Sequence, residues 1–243
     1  DTFLSKTGDF KSYTTSCEGH YEDLEGNRVD APDYFASSLP ELSVKTRVED
    51  GVGFETTRLD LIDKGDVTHA LLYNGKEGGN DMCYKYVLNK EGKYTSVAPY
   101  GKDPTSGNVV LKWGSASTFS AYQPTIVFRK STWQYPQFVA VQGEKNTYEL
   151  MAWNDMIARS AIDALVAGLV GEPISSTSSP FYYYGVYQYL KINIGATSTD
   201  DMRGEIYTRV IDSSSRVDHY YHYHLTFTIT DINNTNIAVP EAA

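Results

Sequence analysis

Short runs of alternating apolar and polar residues, separated by turn residues, fill most of this 243-residue chain. A period of two sends successive side chains to opposite faces, so the pattern predicts antiparallel strands. The runs fall at 43–49, 52–61, 67–73, 82–88, 93–98, 108–113, 125–130, 137–142, 181–194, 205–212 and 217–230. Between them, Glu49-Asp50-Gly51, Asn74-Gly75, Glu77-Gly78-Gly79 and Lys90-Glu91-Gly92 supply glycine where tight turns need positive φ. Residues 1–42 are mixed and broken by Ala31-Pro32 and Leu39-Pro40, so they read as an irregular segment. With no internal repeat and no clear linker, residues 1–243 read as a single β-rich domain.

One segment departs from this texture. Across 147–170, Leu150, Trp153, Ile157, Ala161, Leu165 and Leu169 recur near helical spacing. Asn146 and Glu149 fit a capping box, and Gly171 and Pro173 a stop signal. Asp155, Arg159 and Asp163 form a narrow polar stripe. The fold expected is therefore mainly β: an antiparallel sheet, sandwich or incomplete barrel packed around one long apolar helix over 147–170. Strands precede and follow that helix in blocks, which argues against alternating parallel βαβ units.

The 20 tyrosines change the functional picture. They concentrate in 181–190 and 219–224. Read as strands, the first run places Tyr182, Tyr184, Val186, Leu190, Ile192 and Ile194 on a core face, and the second Tyr221, Tyr223, Leu225, Phe227 and Ile229. The opposite faces carry Tyr183, Tyr187 and Tyr189, then Tyr220, His222 and His224. Aromatic rings on a second face need a cover. Tyr183, Tyr187, Tyr189 and Tyr220 could line a ligand groove, form a subunit interface, or simply pair across strands.

His222 and His224 point the same way and could give two ligands to a metal, with His20 or His69 as a third. No cofactor is otherwise implied. No nucleophile elbow, phosphate loop or metalloprotease helix occurs, and Gly51-Val52-Gly53 is only a fragment of a glycine-rich loop. The strand acids Glu55, Asp60 and Glu205 leave a glycosidase pair open only in a general sense.

A net charge of −10 disfavours nucleic acid and anionic membrane surfaces as partners. The apolar stretch at 161–170 is too short to span a bilayer. A start at Asp1, the pair Cys17 and Cys83 read as one disulfide, and the glycosylation sequon at Asn233 together suggest a processed, secreted, extracellular glycoprotein. The function expected is non-enzymatic: binding or carrying a carbohydrate or a small lipophilic molecule such as a lipid or pigment in a tyrosine-rich groove. The first alternative is a structural, storage or assembly protein of an extracellular fluid such as egg fluid, as a homo- or hetero-oligomer. The second is a glycosidase-like enzyme.

Overall fold

The computed structural model describes residues 10, 12–33, 35, 41–50, 56–63, 66–77, 80–89, 91, 93–99, 110–111, 114–115, 138–153, 156–170, 185–197, 199–236 and 241–243. For most of 42–99 and 110–115 it describes the backbone alone. In chain order the strands are β1 (Ser12–Glu22), β2 (Arg28–Val29), β3 (Leu42–Asp50), β4 (Thr56–Asp63), β5 (Asp66–Glu77), β6 (Asn80–Leu88) and β7 (Tyr94–Pro99). Then come β8 (Val110–Leu111), β9 (Gly114–Ser115), β10 (Val139–Ala140) and β11 (Thr147–Ala152). Helix α1 (Met156–Val170) follows, and then β12 (Gly185–Asn193), β13 (Met202–Asp212) and β14 (His219–Thr230).

All strands but β8 and β9 join one open antiparallel sheet in the order β10-β11-β12-β13-β14-β1-β3-β4-β5-β6-β7, with β2 pairing β1. Two meanders, β3–β7 and β10–β14, therefore meet on either side of β1. The outer edge of β7 is bridged by the chain's last residues: Tyr94 N–H donates to the Glu241 carbonyl at 2.8 Å, and Ala243 N–H to the Tyr94 carbonyl at 2.9 Å. An edge covered in this way offers less to another chain.

Helix α1 and alternate residues of β1 and β11–β14 build one core. Tyr13, Cys17 and Tyr21 of β1, Leu190 and Ile192 of β12, Ile206 and Val210 of β13, and Tyr223, Leu225, Phe227 and Ile229 of β14 are all buried there. The helix contributes Ala158, Ala161, Ile162, Leu165, Val166 and Leu169. It runs across the strands. Asp163 accepts a hydrogen bond from the Gln188 amide of β12 at 3.0 Å. Six residues on, the Leu169 carbonyl accepts from Thr15 Oγ1 of β1 at 3.0 Å. That bond satisfies one of the carbonyls that a helix C-terminus leaves without an internal partner.

The mainly β class stands, but the long apolar helix over 147–170 does not. Thr147–Ala152 is strand β11, and the helix is confined to Met156–Val170. Leu150 satisfies a period of two, with Ala152, as well as a helical one, and both residues are buried. The ladder to β12, from Thr147↔Asn193 to Ala152↔Gln188, decides between them by pairing every backbone group on that side. Asn146 is accordingly a turn residue at φ 56°, not a helix cap. Nor is the helix covered on all its apolar positions, since Ile157 is 56% exposed.

Two further expectations are corrected. Residues 12–22 are not irregular, because they form the strand β1 that joins the two meanders. Cys17 and Cys83 are not bridged. They lie on β1 and β6 with β3, β4 and β5 between them. Four strand spacings put them about 19 Å apart, against the roughly 7 Å limit between Cα atoms for a disulfide. Cys17 is instead buried under the helix, its thiol 4.0 Å from the Leu169 carbonyl. Among the described residues no helix is long and apolar enough to cross a membrane.

Candidate functional site

The strand register orders the face opposite the helix into rows that cross the sheet. One row runs Glu22–His222–Arg209–Tyr187 from β1 to β12. The next runs His20–His224–Tyr207–Tyr189–Met151 from β1 to β11. A third runs Glu18–Thr226–Glu205–Lys191–Glu149. Each residue is there because its strand neighbours are committed to the core. Tyr207 lies between the buried Ile206 and Thr208, and Tyr189 between Gln188 and Leu190.

The first row, with Tyr207 and Tyr189 of the second, floors an open groove of about 620 Å³. Its walls are Met151 and Trp153 at the β11 end and Leu24, Glu25 and Gly26 at the β1–β2 turn. Trp153 is 68% exposed and meets Tyr187 edge-on, ring centroids 5.9 Å apart. Tyr189 donates its hydroxyl to Glu149 at 2.8 Å. The turn that forms the far wall is held by Asp23, whose carboxylate accepts from the backbone N–H of Glu25 and Asn27 and from the Asn27 amide at 2.8–3.0 Å. Gly26, at φ 86°, gives that turn the left-handed residue it needs.

The groove's phenols stay protonated at neutral pH. Burial raises the pKa of Tyr187, Tyr189 and Tyr207 above the ordinary phenol value. The Glu149 contact adds to the shift of Tyr189, and Glu205 and Glu22 to that of Tyr207. The imidazole of His222 is pulled the other way, below its usual value, by burial and by Arg209 beside it. The site thus combines flat rings, neutral hydroxyl donors, one guanidinium and several carboxylates.

A second constellation adjoins the groove at β1. Glu22 Oε1 meets His20 Nε2 at 2.9 Å and His224 Nδ1 at 2.8 Å. His224 Nε2 meets Glu205 Oε2 at 3.2 Å. Burial alone would raise the pKa of Glu22. Its bonds from His224 and His20 more than offset this and hold it below the usual carboxylate range. Tyr207 lies flat on His224, centroids 4.0 Å apart and planes 16° apart.

The sequence-predicted residues divide as follows. Tyr187 and Tyr189 line the groove. Tyr220 shares their face, pairs with Ile211 at the far end of β14 and is 42% exposed, outside the groove lining. Tyr183 lies outside the described residues. Of the histidine pair, His224 joins the cluster with His20, whereas His222 lines the groove, 3.5 Å from Arg209 Nε. His69 lies on β5, three strands from β1. Glu205 contacts His224, Asp60 is on β4, and Glu55 lies outside the described residues. Asn233 sits exposed in the turn after β14 at φ 59°.

Trp153, Met151, Tyr207, Arg209 and Glu22 were not anticipated. A helical reading of 147–170 hid the first two. For Tyr207 and Arg209 the alternation of β13 carried the signal, since Glu205, Tyr207 and Arg209 alternate with the apolar Ile206 and Val210. No protein-family model matches the chain, and no curated protein matches it in sequence.

Proposed function

We propose that this chain is a non-enzymatic binding protein that takes an extended carbohydrate in the groove on its open sheet face. The observation that carries the reading is the exposed Trp153 set edge-on to Tyr187, beside Tyr189, Arg209 and His222, with Glu149 bonded to the Tyr189 hydroxyl. Sugar rings offer a weakly polar C–H face to an aromatic ring and hydroxyls to charged neighbours, and this lining supplies both. A lipid or pigment is the weaker ligand for such a site, because an open groove would leave much of its apolar surface in water.

Titration of the protein with a panel of neutral and acidic oligosaccharides tests this, read by calorimetry and tryptophan fluorescence. Binding without cleavage is expected, and Trp153→Ala should weaken it by tenfold or more. Saturation by none of the panel, or binding that ignores Trp153, would reject the reading. Hydrolysis of a bound oligosaccharide would favour the glycosidase reading instead.

A second reading is assembly. Leu24, Met151 and Trp153 are large, exposed and gathered at one groove, as expected of a subunit contact. Light scattering separates the two, since a strict monomer across micromolar concentrations removes assembly.

The extracellular reading now rests on the sequon at Asn233, on an exposed turn, the disulfide having been lost. Enzymatic deglycosylation of protein from its source, with mass before and after, tests it.

A further inference from the structure

We propose that His20, Glu22 and His224 form a binding site for a divalent transition-metal ion, with zinc the preferred occupant. Each residue offers one donor atom, and the three lie within 4.8 Å of one another. Zinc holds nitrogen and oxygen ligands at 2.0–2.2 Å in a tetrahedron, which spaces neighbouring donors by about 3.3 Å. The two carboxylate contacts here are 2.9 and 2.8 Å. Each therefore needs to open by only about half an ångström to admit the ion.

The backbone sets this convergence. His20 and His224 are direct partners across the β1–β14 ladder, and Glu22 is two residues along β1 on the same face. Their strands lie inside the sheet rather than on a loop, so the donors are held by ladders on both sides. The side chains of Glu22 and His224 are each 12% exposed and that of His20 22%, which shields the site while leaving it reachable.

The surroundings of His224 add an independent argument. Glu205 engages His224 Nε2 at 3.2 Å, on the side of the ring away from Glu22. A carboxylate on the remote nitrogen of a ligating histidine is the usual outer-sphere partner in metal sites. Tyr207, stacked on the ring, fixes its orientation. Two imidazoles and one carboxylate select zinc, copper, nickel or cobalt over calcium and magnesium. Three protein ligands leave a fourth position for water or another oxygen. This site does not depend on what the groove binds.

The test uses full-length protein stripped with chelator and dialysed. Zinc chloride titration by calorimetry should give one equivalent bound at micromolar affinity or tighter. Cobalt(II) should add visible absorption of low-symmetry coordination. His20→Ala, Glu22→Gln and His224→Ala should each weaken binding at least a hundredfold. Glu205→Gln should weaken it ten- to hundredfold through His224. His69→Ala and His219→Ala should keep full stoichiometry. Circular dichroism checks that each variant is folded, and Glu205→Gln remains informative if a ligand variant fails that check. No stoichiometric binding by the unmodified protein would overturn the proposal. So would a site that survives His20→Ala but is lost on His222→Ala.

Discussion

Gln188 of β12 donates its side-chain amide to the Asp163 carboxylate of α1 at 3.0 Å, and both residues are buried beneath the helix. This is a polar bond set inside an apolar layer, and its carboxylate has an unfavourable environment. Burial raises the pKa of Asp163 above the ordinary aspartate value, against smaller opposing effects of the Gln188 bond and the Arg159 charge.

A raised folded pKa means that the ionised form costs stability. Below the unfolded value, about 3.9, both states are protonated and there is no cost. The cost grows as pH rises and is complete above the folded pKa. Asp163→Asn keeps an acceptor for Gln188 and removes the charge. It should therefore raise the melting temperature at pH 7, by about 2–4 °C per kcal/mol recovered in a chain of this size. The gain should fade as pH approaches 4. Thermal unfolding of both proteins between pH 4 and 8 measures it, and a gain that grows on acidification would contradict the argument.

The helix should tolerate charge on one face only. Leu165 is 0% exposed, so Leu165→Asp buries a carboxylate without a partner and should cost several kcal/mol, enough to unfold the protein. Ile157 is 56% exposed, and Ile157→Asp should stay within about 1 kcal/mol of the unmodified protein. Urea unfolding of the pair compares them directly.

Gly19 and Gly204 are both close-approach positions. A Cβ on Gly19 would meet the Tyr223 ring, with Cζ at 2.7 Å, and a Cβ on Gly204 would meet the Lys191 carbonyl and Phe227. Overpacking of this kind costs about 1–3 kcal/mol. Gly204→Ala should be the worse, because its obstacle includes backbone in the neighbouring strand rather than a side chain alone. Equal midpoints in urea would remove that distinction.

The separation of β1 from β6 has a covalent readout. Protein denatured without reductant and treated with alkylating agent should gain two alkyl groups by mass, one each on Cys17 and Cys83. A species unreactive until reduced would require the two strands to approach each other.

Much of the candidate site followed from alternation within single strands. The core residues Leu190, Ile192 and Ile194, and Tyr223, Leu225, Phe227 and Ile229, are buried as their spacing predicts, and Tyr187, Tyr189, His222 and His224 occupy the other face. Strand β1 was hidden because its core face reads Tyr13, Thr15, Cys17, Gly19, Tyr21, with two positions that look polar or empty. Each has a specific partner instead. Thr15 bonds the helix end, and Gly19 leaves room for the Tyr223 ring. Leu150 was misread because its spacing serves a strand and a helix equally, and only pairing with β12 separates the two. The convergence of His20 with His224 was open only as one of several pairings, because cross-strand register between distant segments is a tertiary property.

The place of β1 between β3 and β14 also governs how the molecule is put together. Its two neighbours come from opposite parts of the chain, and Glu22 and His224 are separated by 202 positions. During synthesis β3 is available soon after β1, whereas β14 is withheld until residue 230 has emerged. Closing so long a loop is slow. In the interval one side of β1 remains an unsatisfied template, which the β14 of another nascent copy could fill as readily as its own.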